Sequence, residues 1–445
     1  MVKLIKIIQK PGKMRKKVAS VKPPTVTCGE HEFSDTEISR FRSSLLEWYF
    51  TNGRSLPWRD KGRKEKDDNI RGYSILVSEI MLQQTQVATV IDYYNKWMKR
   101  WPDTGSLSKA SLEEINQSWA GLGYYSRARR LWESAKMIED DLNGVVPRSS
   151  GDLQKLPGVG RYTAAAVSSI AYGEVTGLVD GNVIRVLSRM RTIGAEIDSP
   201  VAVDWIWKLA GDIVDPEKPG DFNQALMELG ATVCSPKNPN CTSCPVKQVC
   251  QAAKSIPDIE DSCQLCLKDL YDPNLKVTNF PRKSKKAASR DETTLVLALT
   301  RDEDGEKTYA VQRRPETGLL ANLWELLSVP SQHGFTGEKE KTTIQSFLEE
   351  RKLLYSGLKR KGEISHIFSH INMTYVVYSA ISTGEDSLEY LSSKDFLEKG
   401  TSTAMKKVVK FLENKPEQKK RKSEAGTPDP KQRSINSFFK PKTQK

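Results

Sequence analysis

Residues 156–189 read LPGVGRYTAAAVSSIAYGEVTGLVDGNVIRVLSR, and no other stretch constrains the chain as much. LPGVG lies between two helical patterns. Leu153 and Leu156 are apolar before it, and the alanine-rich run 163–171 favours helix after it. Gly158 and Gly160 permit a tight hairpin. They also leave backbone N–H groups uncovered at the start of the next helix, a place that attracts phosphate. Such a backbone contact positions a nucleic acid without reading its sequence. An apolar lead, Leu178-Val179, then runs into Asp180-Gly181-Asn182 and another helical pattern. An Asp there can cap a helix and do nothing more, and glycine hairpins often serve only turns. The hairpin and the Asp at this distance carry more than either alone.

A chain of 445 residues is too long for one average domain, so two or three are expected. The net charge of +13 is unevenly placed. Residues 1–30 hold eight Lys/Arg against one acid, and residues 414–445 hold ten against three. The tails therefore carry the surplus. Any nucleic-acid face on the near-neutral body must be a local basic patch. No apolar run reaches the ~18 residues of a membrane span. Seven cysteines, clustered rather than spread, point to metal in a reducing compartment rather than to a disulfide framework.

Along the chain, Ser34 with Glu37 and Ser111 with Glu114 form capping-box patterns. Ile38, Phe41, Leu45 and Trp48 follow the first at helical spacing. Residues 73–101 are expected to form two helices, and helices continue to about residue 232. From Thr293 the pattern changes to strands, TTLVLALT, TYAVQRR and TYVVYSAI, with a last helix over 405–412. The expected fold is multidomain: an all-α body, then a smaller α+β domain. The boundaries are a basic tail (1–30), the body (31–253), a connector (254–290), the α+β domain (291–413) and a charged tail (414–445). The first tail has three open readings: a mitochondrial targeting segment, a nuclear or DNA-binding tail, or a plain disordered one.

Cys234, Cys241, Cys244 and Cys250 give C-x6-C-x2-C-x5-C. Zinc ribbons use two C-x2-C hooks and this pattern has one, whereas four thiolates suit a 4Fe–4S cluster. Hairpin, Asp and cysteine loop together resemble the helix–hairpin–helix DNA glycosylases, the endonuclease III-like superfamily. Bifunctional members of that superfamily carry a Lys two residues after the last hairpin glycine, as a Schiff-base nucleophile. Here the position is Tyr162, and a phenol forms no imine. Glu79, in SEIMLQQTQV, offers a carboxylic acid whose pKa burial would raise, able to protonate a poor leaving group such as adenine. WELLSVP (324–330) and HIFSH (366–370) resemble a recognition domain related to Nudix hydrolases. The nearest candidate for a Nudix metal helix, SFLEERKLL, does not match the REUxEE pattern of acids that such a helix needs, so the domain is read as a reader and not a pyrophosphatase.

The whole pattern is similar to the MutY adenine DNA glycosylases in their eukaryotic form. That resemblance implies action on adenine opposite 8-oxoguanine or guanine in double-stranded DNA, with a 4Fe–4S cofactor. It implies Glu79 as general acid, Asp180 as stabiliser of the sugar cation, and Tyr162 and Asn182 in support. Arg54, Trp58, Leu82 and Gln224 match positions lining the adenine pocket. Gln84 and Tyr124 match a wedge entering the base stack, and Phe368, Ser369 and His370 a loop that reads 8-oxoguanine. Two other readings compete: an endonuclease III-like pyrimidine glycosylase/lyase, and a damage-binding scaffold without catalysis.

Cys28, His31, Cys263 and Cys266 offer a tetrahedral zinc set. Animal relatives carry three linker cysteines where this chain has two, and Cys28 is the expected replacement. Near the end, Gln432, Ile435, Phe438 and Phe439 fit Q-x-x-I-x-x-F-F, the motif that binds the sliding clamp PCNA. It implies a nuclear protein, with KKRK at 419–422 as import signal and a mitochondrial share if the first tail is a targeting segment. The connector is a candidate docking segment for other damage-response proteins, and the chain is expected to be a monomer.

Overall fold

The computed structural model describes residues 31–254, 262–267, 271–282, 288–303, 305–331, 337–368 and 371–414. Cys28 with the rest of the first tail, Ser369, His370, and residues 415–445 with the KKRK run and the Gln432–Phe439 motif lie outside them.

The body is helical throughout. It begins with α1 (Asp35–Asn52), α2 (Pro57–Lys64), α3 (Asp68–Leu82) and α4 (Val87–Arg100). It continues with α5 (Thr104–Ser108), α6 (Leu112–Trp119), α7 (Ser126–Asp141) and α8 (Ser150–Leu153). Then come α9 (Arg161–Tyr172), α10 (Gly181–Met190), α11 (Pro200–Ile213), α12 (Pro219–Thr232) and the short α13 (Gln251–Lys254). Both expected capping boxes are formed: Ser34 with Glu37 and Ser111 with Glu114 exchange backbone and side-chain bonds.

These helices bury two apolar clusters. One gathers Phe41, Leu45, Val186, Leu209 and Phe222 from α1, α10, α11 and α12. The other gathers Ile75, Trp97, Trp119 and Leu131 from α3, α4, α6 and α7. Helix α9 belongs to both: Ala165 and Ala166 face the first, Ala164 and Val167 the second. Alanines at these positions let a helix lie between two lobes with neighbours on every side. The seam between the lobes is therefore fixed by the α9 sequence, and the hairpin leads directly into that helix.

Residues of the connector also enter this core. Leu265, Val277 and Phe280 are buried with the first cluster, and Leu265 O accepts from the Gly194 and Ala195 amides. Its polar composition gave no sign of that docking.

The second domain holds one six-stranded mixed sheet of β1 (Arg290–Glu303), β2 (Glu306–Arg313), β3 (Trp324–Ser331), β4 (Tyr355–Phe368), β5 (Ile371–Ser382) and β6 (Glu389–Ser392). Their order is β4-β5-β1-β3-β2-β6, and β1 runs parallel to β5. Along β5, Met373, Tyr375 and Val377 face one side, and Val376, Tyr378 and Ala380 the other. Helix α14 (Gly337–Glu350) covers the second side with Ile344 and Leu348. The short α15 (Ser393–Glu398) and α16 (Thr403–Glu413) cover the first with Phe396, Met405 and Val408.

The two domains are keyed together by Glu113 on α6. It pairs with Arg313, accepts from Trp324 Nε1 at 3.1 Å and lies 3.7 Å from Lys399 Nζ. Leu323 inserts into the apolar cluster of the body, fully buried.

Candidate active site

A cavity of about 530 Å³ opens at the seam between the two lobes. One wall is α3, with Glu79 and Leu82; another is α9, with Tyr162; a third is α10 and α12, with Asp180, Asn182 and Gln224. Arg54 before α2, Trp58 on α2 and Gln84 after α3 complete it. Residues far apart in sequence thus converge on one space large enough for a purine nucleoside.

Glu79 is 4% exposed. Burial pushes its carboxyl up to about 7, with nearby Asp180 adding to the shift and Tyr162 and Arg59 opposing it. The Tyr162 hydroxyl donates to Glu79 Oε2 at 2.6 Å and also touches Met227 Sδ at 3.3 Å. Tyr162 itself stays a phenol, because burial and the two carboxylates raise its pKa well above 10.0. The acid is therefore held in place by a neutral donor and carries a proton near neutral pH.

Asp180 does cap a helix, and its second oxygen is held as well. Oδ1 accepts from the Asn182 and Val183 amides at 2.9 and 2.7 Å, while Oδ2 accepts from Asn182 Nδ2 at 2.8 Å. Burial raises its carboxyl, against the lowering effect of these bonds. Asn182 Oδ1 in turn accepts from Arg185, whose Nε donates to Cys234 O at 2.7 Å. The helix that carries Asp180 is so tied to the cysteine loop.

Sequence reasoning missed Glu228 and Arg59. Glu228, buried on α12, receives Arg54 Nη2 at 2.9 Å and Arg59 Nη2 at 3.0 Å. Burial alone would raise its carboxyl, but the two guanidinium groups hold it below the ordinary value. No local pattern marks it, since Arg54 lies 174 positions away.

The hairpin glycines differ in their reasons. Gly158 has φ +78°, and a Cβ there would meet Arg130 Cβ at 2.7 Å, so both backbone and space require glycine. Gly160 has an ordinary φ and open space; it is the N-cap of α9 and leaves that terminus without a side-chain cap.

Tyr124 and Phe368 line a different cavity, of about 550 Å³, between body and second domain. Tyr124 is 45% exposed, with φ +48°, and Gln84 has φ +56°. Gln84 and Tyr124 thus stand on separate loops, each lining a different one of the two cavities.

Cys234, Cys241, Cys244 and Cys250 line a further cavity together. Arg189 Nη1 lies 3.3 Å from Cys234 Sγ. Burial pushes Cys244 up to about 11 and Cys250 up to about 12, so a bound cation is needed to hold them as thiolates. Elsewhere His31, Cys263 and Cys266 are all buried, with ligand atoms within 4.8 Å of one another, a candidate metal site.

The model of the "HhH-GPD superfamily base excision DNA repair protein" matches residues 77–204, and that of the NUDIX domain matches 296–411. The adenine DNA glycosylase of Mus musculus is 46% identical over 418 residues, covering 86% of this chain and 80% of the relative. The chain belongs to the adenine DNA glycosylase family. The human adenine DNA glycosylase is 43% identical over 419 residues, with 86% of this chain and 76% of the relative covered. A thermostable thymine-DNA glycosylase of known structure is 30% identical with a TM-score of 0.42, over 49% of this chain and 97% of that one. As an adenine DNA glycosylase the chain is a base-excision-repair enzyme, and the Glu79–Asp180 cavity is where its described residues gather acid groups around a base-sized space.

Proposed function

We propose that this adenine DNA glycosylase removes adenine from opposite 8-oxoguanine, and from opposite guanine, by hydrolysis that leaves the strand uncut. The observation that carries the proposal is the Tyr162–Glu79 bond in a cavity that also holds Asp180. Glu79 delivers its proton to a ring nitrogen of the flipped adenine, which makes the base a neutral leaving group. Asp180, its oxygens fixed by Asn182 and the α10 amides, stabilises the cationic sugar that remains. Water then adds to that sugar and gives up a proton to the carboxylate that Glu79 has become, which restores the acid. No lysine lines this cavity among the described residues, which favours hydrolysis over an imine route and strand cleavage.

Gln84 and Tyr124 are the wedge that fills the stack once adenine leaves it. Phe368, with Ser369 and His370 beyond it, reads the opposite 8-oxoguanine; the shared lining of Tyr124 and Phe368 supports this. Gly158 and Gly160 present the α9 terminus to a backbone phosphate.

In this reading Cys234, Cys241, Cys244 and Cys250 hold a 4Fe–4S cluster. Among the described residues only the His31 group brings ligand atoms within 4.8 Å. Four thiols that line one cavity, with a single C-x2-C hook among them, suit a cluster ligated by four cysteines. The cluster, when bound, fastens the loop. Cys28 joins His31, Cys263 and Cys266 around zinc. Gln432, Ile435, Phe438 and Phe439 dock on PCNA, and the protein works in the nucleus, with a mitochondrial share if the basic N-terminal segment is read as a targeting signal.

The test is a duplex with adenine opposite 8-oxoguanine, incubated with the purified protein and then split for alkali treatment. Breaks only after alkali are expected. Breaks without alkali would instead mean a lyase, and none in either arm a non-catalytic binder.

A further inference from the structure

Arg127, on the first turn of α7, is 8% exposed, yet no carboxylate among the described residues answers its charge. Its partners are backbone oxygens, one threonine hydroxyl and two rings. Nη1 donates to Ile80 O at 3.0 Å, to Met81 O at 2.9 Å and to Gln83 O. These are carbonyls at the end of α3 and just past it, left over where the helix stops. Nη2 donates to Gly123 O at 3.0 Å, to Leu122 O at 3.3 Å and to Thr85 Oγ1 at 3.2 Å. The guanidinium carbon lies 5.5 Å from the Tyr124 ring centre and 5.3 Å from that of Trp119.

One guanidinium thus joins two loops. The first carries Gln84 at φ +56° and the second Tyr124 at φ +48°, both in a backbone region that non-glycine residues seldom occupy. Such conformations persist only where surrounding contacts over-determine them. Burial draws the pKa of Arg127 down to about 10, so the group stays charged at neutral pH.

We propose that Arg127 is a positioning residue that sets the spacing and direction of the Gln84 and Tyr124 loops as one unit, so that both side chains enter the DNA stack together. It rests on the reading of Gln84 and Tyr124 as the wedge. The α3 carbonyls that it caps follow Glu79 directly, so it also couples the wedge to the end of the helix bearing the acid. A lysine cannot replace it, because a single ammonium cannot serve two divergent sets of carbonyls as a planar fork does.

The test uses the full-length protein and the variants R127K, Y124A and R127K/Y124A. The readouts are single-turnover excision and the fluorescence of 2-aminopurine placed beside the base opposite adenine. Y124A is expected to slow excision and to abolish the fluorescence change. R127K is expected to slow excision on the order of 10- to 100-fold, as misplacement of a positioning group does. It should lose the same fluorescence change, keep the wild-type pH profile, and cost less than two-fold more in the Y124A background. Hydrogen exchange should quicken in residues 82–85 and 121–125 together in R127K, whether or not its stability falls. Full multiplication of the two losses, or exchange that quickens in one loop only, would overturn the proposal. If Y124A leaves fluorescence and excision unchanged, the wedge reading itself fails, and this proposal with it. If Y124A is impaired while R127K behaves as wild type, the wedge stands and the brace alone is refuted.

Discussion

The Tyr162 hydroxyl donates to Glu79 Oε2 at 2.6 Å, across 83 positions of sequence, and joins the first turn of α9 to the last turn of α3. It opposes the effect of burial, which drives the Glu79 carboxyl up to about 7. Tyr162→Phe removes a bond that favours the ionised form. The alkaline limb of the rate profile should move up by about one pH unit, the scale of one hydrogen bond to a charged group. Single-turnover rates from pH 6 to 9 check this, and an unmoved limb would count against it.

Glu79 also sets a stability signature. Its folded pKa lies above the ordinary 4.5, so its contribution is complete below about 4.5 and is lost as pH rises through about 7. Glu79→Gln cannot ionise. The variant should match wild type in urea unfolding at pH 4 and exceed it by up to about 3 kcal/mol at pH 8. Equal stability at both values would contradict the burial argument.

Glu228 runs the other way. Its carboxyl is depressed by Arg54 and Arg59 against the cost of burial, so its contribution is present at neutral pH and lost as pH falls. Glu228→Gln leaves Arg59 buried without its counter-charge and should cost about 3 kcal/mol at pH 7. The deficit should shrink in acid, as thermal unfolding at pH 7 and pH 4 would reveal.

Much of this was legible in the residues. The hairpin, the Asp180 cap and both capping boxes follow from local chemistry, since their partners lie two to four positions away. The wall residues of the Glu79–Asp180 cavity were named through the likeness of whole motifs, not through any property of Trp58 or Gln84 alone. Glu228 was missed because an acid on a helix reads as solvent-facing until its distant partners are placed. Strand β4 was missed for a different reason. It is an edge strand carrying Lys359, Arg360 and Lys361, with register shifts on either side of them, so its apolar alternation is diluted. The connector hid its packing because its buried anchors, Cys263, Leu265, Cys266, Leu267, Val277 and Phe280, are set among polar residues and follow no helical or strand period.

The domain joint offers a further test. Glu113 receives Arg313, Trp324 and Lys399 from the second domain but lines neither the Glu79–Asp180 cavity nor the interdomain one. Glu113→Ala should loosen the joint and reduce the preference for adenine opposite 8-oxoguanine over adenine opposite guanine by about 10-fold, equivalent to roughly 1.4 kcal/mol. The rate on the guanine pair should change little. Competition between the two duplexes measures it, and an unchanged ratio would show that the joint does not align the reader.

Metal analysis addresses the second site. Wild type should hold one zinc beyond its iron, and His31→Ala and Cys28→Ser should each lose it. Unchanged zinc in Cys28→Ser would remove that residue from the ligand set.

The central claim is that Glu79 and Asp180 act from two sides of one glycosidic bond. The most direct measurement is single-turnover release of adenine from the 8-oxoguanine duplex by Glu79→Gln and Asp180→Asn, each shown by circular dichroism to be folded. Both should lose on the order of 10³-fold or more, the range for removing a positioned acid or a charge stabiliser. Release at the wild-type rate by either folded variant would contradict the account.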